Sequence, residues 1–311
     1  MKSYKFSAIT LYQASSKLTE PIQVADFVWI YPTSPFQDDG FWSEWLGSLR
    51  FKELTEANAT LLAQVQTSNS DLDIENQEAQ RKVLTFWYSF LLLGIPTYSR
   101  INYFTGSASE KGTRIQQVSR LPVFRKIPSL PSLQISEVLC NNLKTIFERL
   151  QNIYGRKGAF KRLRSGFKIF TQAICEEVPY DRVHQFVRSV EALIMAEPGR
   201  TKSLFQHRCQ TFCKASDAAK SALERLYDFR SRVEHLQDWD DLFPGHEKEH
   251  QLPAHIELAR QAETLARHTY FAILMNADLL EWFENDERLG EFWKLSDDER
   301  VSFLPFRINL P

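Results

Sequence analysis

Hydrophobic and polar positions alternate with period two in four early segments. "YKFSAITLY", "DFVWIY", "SRINYFT" and "TRIQQVSRL" each place apolar side chains on one face of an extended chain and so predict strands. Between them the period lengthens to three and four. Phe41 to about Gln66 and Glu75 to Leu93 predict two helices, separated by the polar, turn-rich "TSNSDLD". Residues 1–121 therefore predict a small α+β domain.

The run "LPVFRKIPSLPS" then brings three prolines into ten residues, which disfavours helix and central strand alike. Residues 122–132 are expected to be a linker. Beyond it, alternation gives way to helical spacing over about 133–154, 159–176, 180–196, 202–236 and 254–284. Each helix carries an apolar seam: Phe160, Leu163, Phe167, Phe170 and Ile174; Val183, Phe186, Val190 and Leu193; Ala222, Leu226, Phe229, Val233 and Leu236. Such seams predict an antiparallel helical bundle over 133–290, followed by a tail at 291–311. The fold class expected for the whole chain is mainly α.

Composition narrows the function classes. With 311 residues, 43% hydrophobic and 13% aromatic, the chain can bury a large core. Its 38 basic and 39 acidic residues leave a net charge of −1, so any site for a polyanion must be local. The N-terminal "MKSYKFSAITLYQ" lacks the apolar core of a secretion signal. The most apolar run, Val83 to Pro96, falls short of the roughly 20 residues that span a bilayer. A cytoplasmic protein with no membrane partner is expected. Of four cysteines only Cys209 and Cys213 are close in sequence, and no second Cys or His pair completes a zinc set, so reduced, buried thiols are expected.

The chemistry-bearing candidates sit in "LYDFRSRVEH". On an ideal helix Arg230 and His235 stand about 140° apart. They are expected on the two edges of the face opposite the Ala222-to-Leu236 seam, along with Tyr227, Ser231 and Glu234. Taken alone this is a solvated helix face, on which a His near the C-terminus also suits the helix dipole.

With its surroundings, the segment resembles the HEPN (higher eukaryotes and prokaryotes nucleotide-binding) domain, whose hallmark is Arg, a polar residue, a short spacer and His. Here these are Arg230, Ser231, Arg232-Val233-Glu234 and His235. The resemblance covers about 133–290. Many relatives carry Gly after the His and an uncharged residue before it; here Leu236 and Glu234 occupy those places.

The resemblance implies an endoribonuclease that needs no metal or other cofactor. It also implies a homodimer in which two Arg–His helices meet in one cleft, RNA as the partner, and a role as a toxin or antiviral defence effector. The N-terminal domain would then sense a trigger or restrain the nuclease. The residue types suit this chemistry. Histidine is the side chain type whose ordinary titration range, near neutrality, allows proton transfer from a ribose 2′-OH, which makes His235 the candidate base. Arg230 can grip the scissile phosphate through two parallel hydrogen bonds. Ser231 can orient a phosphate oxygen or the imidazole, and Glu234 either fixes a His tautomer or is a solvated charge. The alternative in the same fold is a catalytically silent dimeric interaction or nucleotide-binding module.

A basic stripe adds a second polyanion feature. Lys157, Lys161, Arg164 and Lys168 recur at four, three and four residues, with Arg156 and Arg162 beside them. They are candidates for RNA phosphate contacts, together with Tyr227; the ordinary alternative for the stripe is a solubilising helix face. His184, Arg188 and Glu191 share one polar edge of their helix. The segment "HEKEH" at 246–250 has the spacing of a zinc-protease motif but sits in a polar loop rather than a long apolar-backed helix, so no metal ligand is assigned.

Overall fold

The computed structural model describes residues 3–36, 40–67, 72–94, 101–109, 112–121, 133–197, 199–238, 242 and 252–310. The chain is mainly α-helical with one six-stranded antiparallel sheet. Its described residues form two compact units, the first holding those up to 121 together with 133–151, the second beginning at Asn152.

In the first unit the sheet order is β2-β3-β4-β1-β5-β6, with β1 Tyr4–Leu11, β2 Ile22–Ala25, β3 Val28–Tyr31, β4 Ala59–Gln66, β5 Ile101–Ser109 and β6 Gly112–Arg120. The helix expected from Phe41 to Gln66 is instead α1 (Phe41–Leu46), α2 (Ser48–Thr55) and strand β4. Gly47, at φ 75°, separates the two helices. Ala59 to Gln66 is rich in helix formers, yet it pairs with both β1 and β3, and its first five residues are all buried. Tertiary pairing overrides propensity there, and two-sided burial erases the alternation that would have marked a strand.

Helix α3 (Leu72–Leu93) packs on β1 and β4 and holds the most apolar run. Val83, Phe86, Trp87, Phe90 and Leu91 are fully buried in it, and the helix gives way at Gly94. No helix among the described residues is long and apolar enough to cross a membrane. Helix α4 (Glu137–Gly155) packs with this unit as far as Gln151, its Phe147 ring lying 5.6 Å from Phe86. The segment expected to open the helical domain at 133 thus belongs to the first unit. The proline-rich run 122–132 lies outside the described residues.

The second unit comprises α5 (Lys161–Cys175), α6 (Pro179–Ile194), α7 (Thr201–Cys209), α8 (Asp217–Glu234), α9 (Leu252–Met275), α10 (Ala277–Trp282), α11 (Asp286–Phe292) and α12 (Asp297–Ser302). Helix α6 is its centre, touching α5, α7, α8 and α9. Gly166 of α5 lets that approach happen: a Cβ there would stand 2.2 Å from Tyr270 Oη and 2.7 Å from the Ser189 carbonyl. The Tyr270 hydroxyl donates to that same carbonyl at 2.7 Å. A buried charge set ties α6 to α9, with Arg182 donating to Glu263 at 3.1 Å and Arg267 to the other oxygen of Glu263 at 2.7 Å.

Two of the expected helices are divided. The span 202–236 breaks into α7 and α8, with Ser216 as N-cap accepting from the Ala219 N–H at 3.0 Å. The span 254–284 breaks at Asn276, which caps α10. The expected tail at 291–311 is no tail: Trp293, Leu304 and Leu310 are buried, and Ile308 bridges to Cys213.

Candidate functional site

Helix α8 forms because "DAAKSALERL" is rich in strong helix formers behind a Ser N-cap, and it docks through Ala219, Ala222, Leu223, Leu226 and Phe229, all fully buried. The expected seam stops at Phe229: Val233 is half-buried and Leu236 is 93% exposed. The helix ends at Glu234, with His235 as C-cap. Leu236 takes the left-handed conformation at φ 53°, its N–H bonding the Val233 carbonyl, while Gln237 N–H bonds the Arg232 carbonyl at 2.9 Å. This pair of bonds is a Schellman turn, which ordinarily places Gly where Leu236 stands. The chain direction that a glycine would give after the His is therefore reached by a leucine.

The outward face expected for both residues of the motif holds for His235 alone, which is exposed. Arg230 is turned inward, its side chain 15% exposed. The reason is in the spacing: Arg230 follows buried Leu223 by seven residues, two helical turns, and so flanks the seam rather than opposing it. Its guanidinium reaches Glu191 Oε2 of α6 at 2.8 Å and also pairs with Glu234 one turn on. Glu234 is thus a partner of Arg230 rather than a solvated charge.

The polar edge of α6 meets this arginine. Burial raises the Glu191 carboxyl above its ordinary value, with the Arg230 charge opposing that shift. Burial lowers the His184 imidazole, and the nearby charges of Arg230 and Arg188 lower it further, so His184 favours its neutral form. Among the described residues His184 Nε2, Glu191 Oε1 and Arg230 Nε find no hydrogen-bond partner. The cluster is a set of charges and donors with spare valences, one turn from His235.

The other candidates fall in two groups. Ser231 is half-buried, and its carbonyl accepts from the His235 N–H at 3.1 Å, so Ser231 helps place His235 through its backbone. Tyr227 packs its ring 5.6 Å from Phe205 of α7, next to Asp228, which accepts from Lys202 at 2.9 Å. In the basic stripe, Arg162 is held by Asp286 through bonds of 2.8 and 3.1 Å, and Arg156 pairs with Glu284. Lys157, Lys161, Arg164 and Lys168 have no ion-pair partner among the described residues. The fold puts the stripe and Arg230 in one unit, with Lys161, Arg164 and Lys168 on α5 and Arg230 on α8, both of which pack against α6, while Lys157 precedes α5; no described hydrogen bond or ion pair joins the stripe to Arg230.

Cys209 and Cys213 are free and buried; burial pushes the Cys213 thiol up to about 11 and Cys209 well above its ordinary value. Such thiols are unreactive near neutrality. The "HEKEH" segment lies outside the described residues. Within them, no cluster of three His, Cys, Asp or Glu side chains is placed to hold a metal ion.

Sequence reasoning missed the link from Glu191 to Arg230. Its signal was present in two parts, the His184-Arg188-Glu191 edge and the seven-residue step from Leu223 to Arg230. No family model matches the chain, and no curated protein or solved structure matches it significantly.

Proposed function

We propose that the chain is a HEPN-type endoribonuclease that cleaves RNA without a metal ion, acting as a homodimer in a toxin or antiviral defence role. One observation carries this reading: Arg230, held by Glu191 and Glu234, stands one turn before an exposed His235 that a Schellman turn fixes at the end of α8. A phosphate lying across that helix end would compete with Glu234 for Arg230 and keep Glu191 as the anchor of the guanidinium. His235 would take the proton from the ribose 2′-OH as its oxygen attacks phosphorus. The bond to the 5′-oxygen breaks, and that oxygen leaves with a proton. The products are a 2′,3′-cyclic phosphate and a 5′-hydroxyl. In this reading the lysines of α5 hold neighbouring phosphates, and the first unit restrains or triggers the nuclease.

The experiment is cleavage of total RNA in chelator followed by end analysis. Cyclic phosphate ends, with resistance of a 2′-O-methylated substrate, are expected; 3′-hydroxyl ends would overturn the mechanism. A silent interaction or nucleotide-binding module is the second reading, favoured by a different observation: two carboxylates already claim Arg230 within one chain.

A further inference from the structure

Two carboxylates of the same chain claim Arg230. One terminal nitrogen stands 2.8 Å from Glu191 Oε2 of α6, and the other pairs with Glu234 of its own helix. One guanidinium thus faces two negative charges, and the surplus repels the phosphate that a guanidinium suits. The two carboxylates are not held alike. Glu191 is 11% exposed and joins two helices, so freeing it would strand a charge in the interior. Glu234 is 36% exposed on the last turn of α8, and an ion pair so open to water is weak. Glu234 is the one that can leave.

An unused cation stands beside them. His184, Arg188 and Glu191 follow one another at four and three residues along α6 and share one edge. Glu191 at one end of that stretch meets Arg230, and His184 at the other feels the charges of Arg230 and Glu234, so the last turn of α8 runs along it. Arg188, between them, acts on His184 and Glu191 alike. It is exposed and has no ion-pair partner among the described residues. With Glu234 displaced, two guanidinium groups face one buried carboxylate, and the sign of the site reverses.

We propose that Glu234 is a built-in stand-in for phosphate: its carboxylate occupies the place on Arg230 that a phosphodiester of an RNA strand takes, and Arg188 becomes the second cation of that phosphate once Glu234 swings out. Arg230 and Arg188 are the binding residues, and Glu234 is a self-inhibitory contact. The choice of ligand rests on the ribonuclease reading, but the exchange is one of occupancy and needs no cleavage.

Fluorescence anisotropy of a 2′-O-methylated oligoribonucleotide, which its own 2′-oxygen cannot cut, tests this on the full chain, with AMP titrated beside it. The proteins are wild type, Glu234→Gln, Arg188→Ala and Glu224→Gln. Glu234→Gln should bind the oligomer about two- to fivefold tighter, the range that corresponds to losing one exposed ion pair as competitor. A pair that only held the helix end would lower the thermal midpoint on removal and leave the affinity alone. Arg188→Ala should bind more weakly and reduce the log–log salt slope by roughly 0.7, one contact to a single strand. Glu224→Gln removes the same charge from an exposed carboxylate earlier on α8, paired with Lys202, and should bind like wild type. The proposal is overturned by equal or weaker binding in Glu234→Gln, by an equal gain in Glu224→Gln, or by an unchanged slope in Arg188→Ala. Absence of binding by all four proteins, or a gain confined to AMP, overturns it too. Cleavage of unmodified RNA by the same samples separates the two ideas. Tighter binding by Glu234→Gln with no cleavage by any protein sinks the ribonuclease and keeps the phosphate site; cleavage by wild type with no gain in Glu234→Gln does the reverse.

Discussion

Arg230 of α8 and Glu191 of α6 form an ion pair of 2.8 Å whose side chains are only 15% and 11% exposed, so the candidate catalytic arginine is also a joint between two helices. Replacing Glu191 by Ala removes a charged partner from a largely buried guanidinium, and a loss of roughly 1–3 kcal/mol is expected. Urea unfolding of wild type, Glu191→Ala and Arg230→Ala, with the double variant, measures the coupling. Additive losses would show that the two residues do not depend on one another.

Replacing Leu236 by glycine should raise stability. Its left-handed φ of 53° is unfavourable for a side chain with a Cβ, and at 93% exposure it gives up little packing. Leu236→Gly is expected to stabilise the protein by roughly 0.5–1 kcal/mol, part of the relief being offset by the freedom glycine adds to the unfolded chain. Leu236→Val, β-branched, should destabilise. The opposite order in denaturant midpoints would contradict the Schellman turn.

At Gly166 the close approach of α5, Ser189 and Tyr270 leaves no room for a methyl group. Gly166→Ala should cost about 1–3 kcal/mol through overpacking. Pairing it with Tyr270→Phe, which removes the oxygen 2.2 Å from the new Cβ, should recover part of the loss. If Gly166→Ala alone melts like wild type, the helices do not pack this closely.

Protonation of His184 should destabilise the fold. Its folded pKa lies below the ordinary imidazole value of 6.5 because burial and the charges of Arg230 and Arg188 disfavour the imidazolium. The unfolded chain therefore binds the proton first. The stability is fully present above the unfolded pKa and is lost as pH falls from there through the folded pKa. Glu191, raised by burial, works in the opposite direction over the carboxylate range, so the informative quantity is the difference between wild type and His184→Gln. Denaturant midpoints from neutral pH into the acid range should fall less for the variant; parallel curves would place His184 outside the charged cluster.

The sequence carried the architecture better than the joints. Period-two runs located β1, β3, β5 and β6, and three-and-four spacing located the seams of α5, α6 and α8. What failed was local. Strand β4 hid behind Ala, Leu and Gln because its burial comes from strands far away in sequence, Leu11 facing Ala59 and Tyr4 facing Gln66, and no periodicity records such pairing. In the candidate site, the helix and its end were legible, and His235 was placed on the correct side. Arg230 was not, because a seam read as one line of residues hid that Leu223 lies in it too, and because a long arginine on the flank can fold onto a carboxylate of the next helix.

The cations of α5 that lack an ion-pair partner among the described residues should govern the affinity for RNA. Lys161→Glu with Arg164→Glu is expected to weaken binding and to reduce the log–log salt slope by roughly 0.7–0.9 for each phosphate no longer neutralised. Arg162→Ala, which breaks the Asp286 pair, should change stability more than the slope. An unchanged slope in the double charge reversal would make the stripe a solubilising surface.

The most direct measurement is single-turnover cleavage of RNA in EDTA by wild type, His235→Ala and Arg230→Lys, with thermal midpoints taken on the same samples. General acid–base catalysis contributes about 10²- to 10⁴-fold, so His235→Ala should lose nearly all cleavage while melting within a small surface effect of wild type, the residue being an exposed C-cap. Arg230→Lys should also fail, since lysine keeps the charge but not the planar two-point grip on phosphate. Cleavage by both variants at the wild-type rate, or cleavage by none of the three proteins, would contradict the ribonuclease assignment and leave Arg230 as a structural joint between α6 and α8.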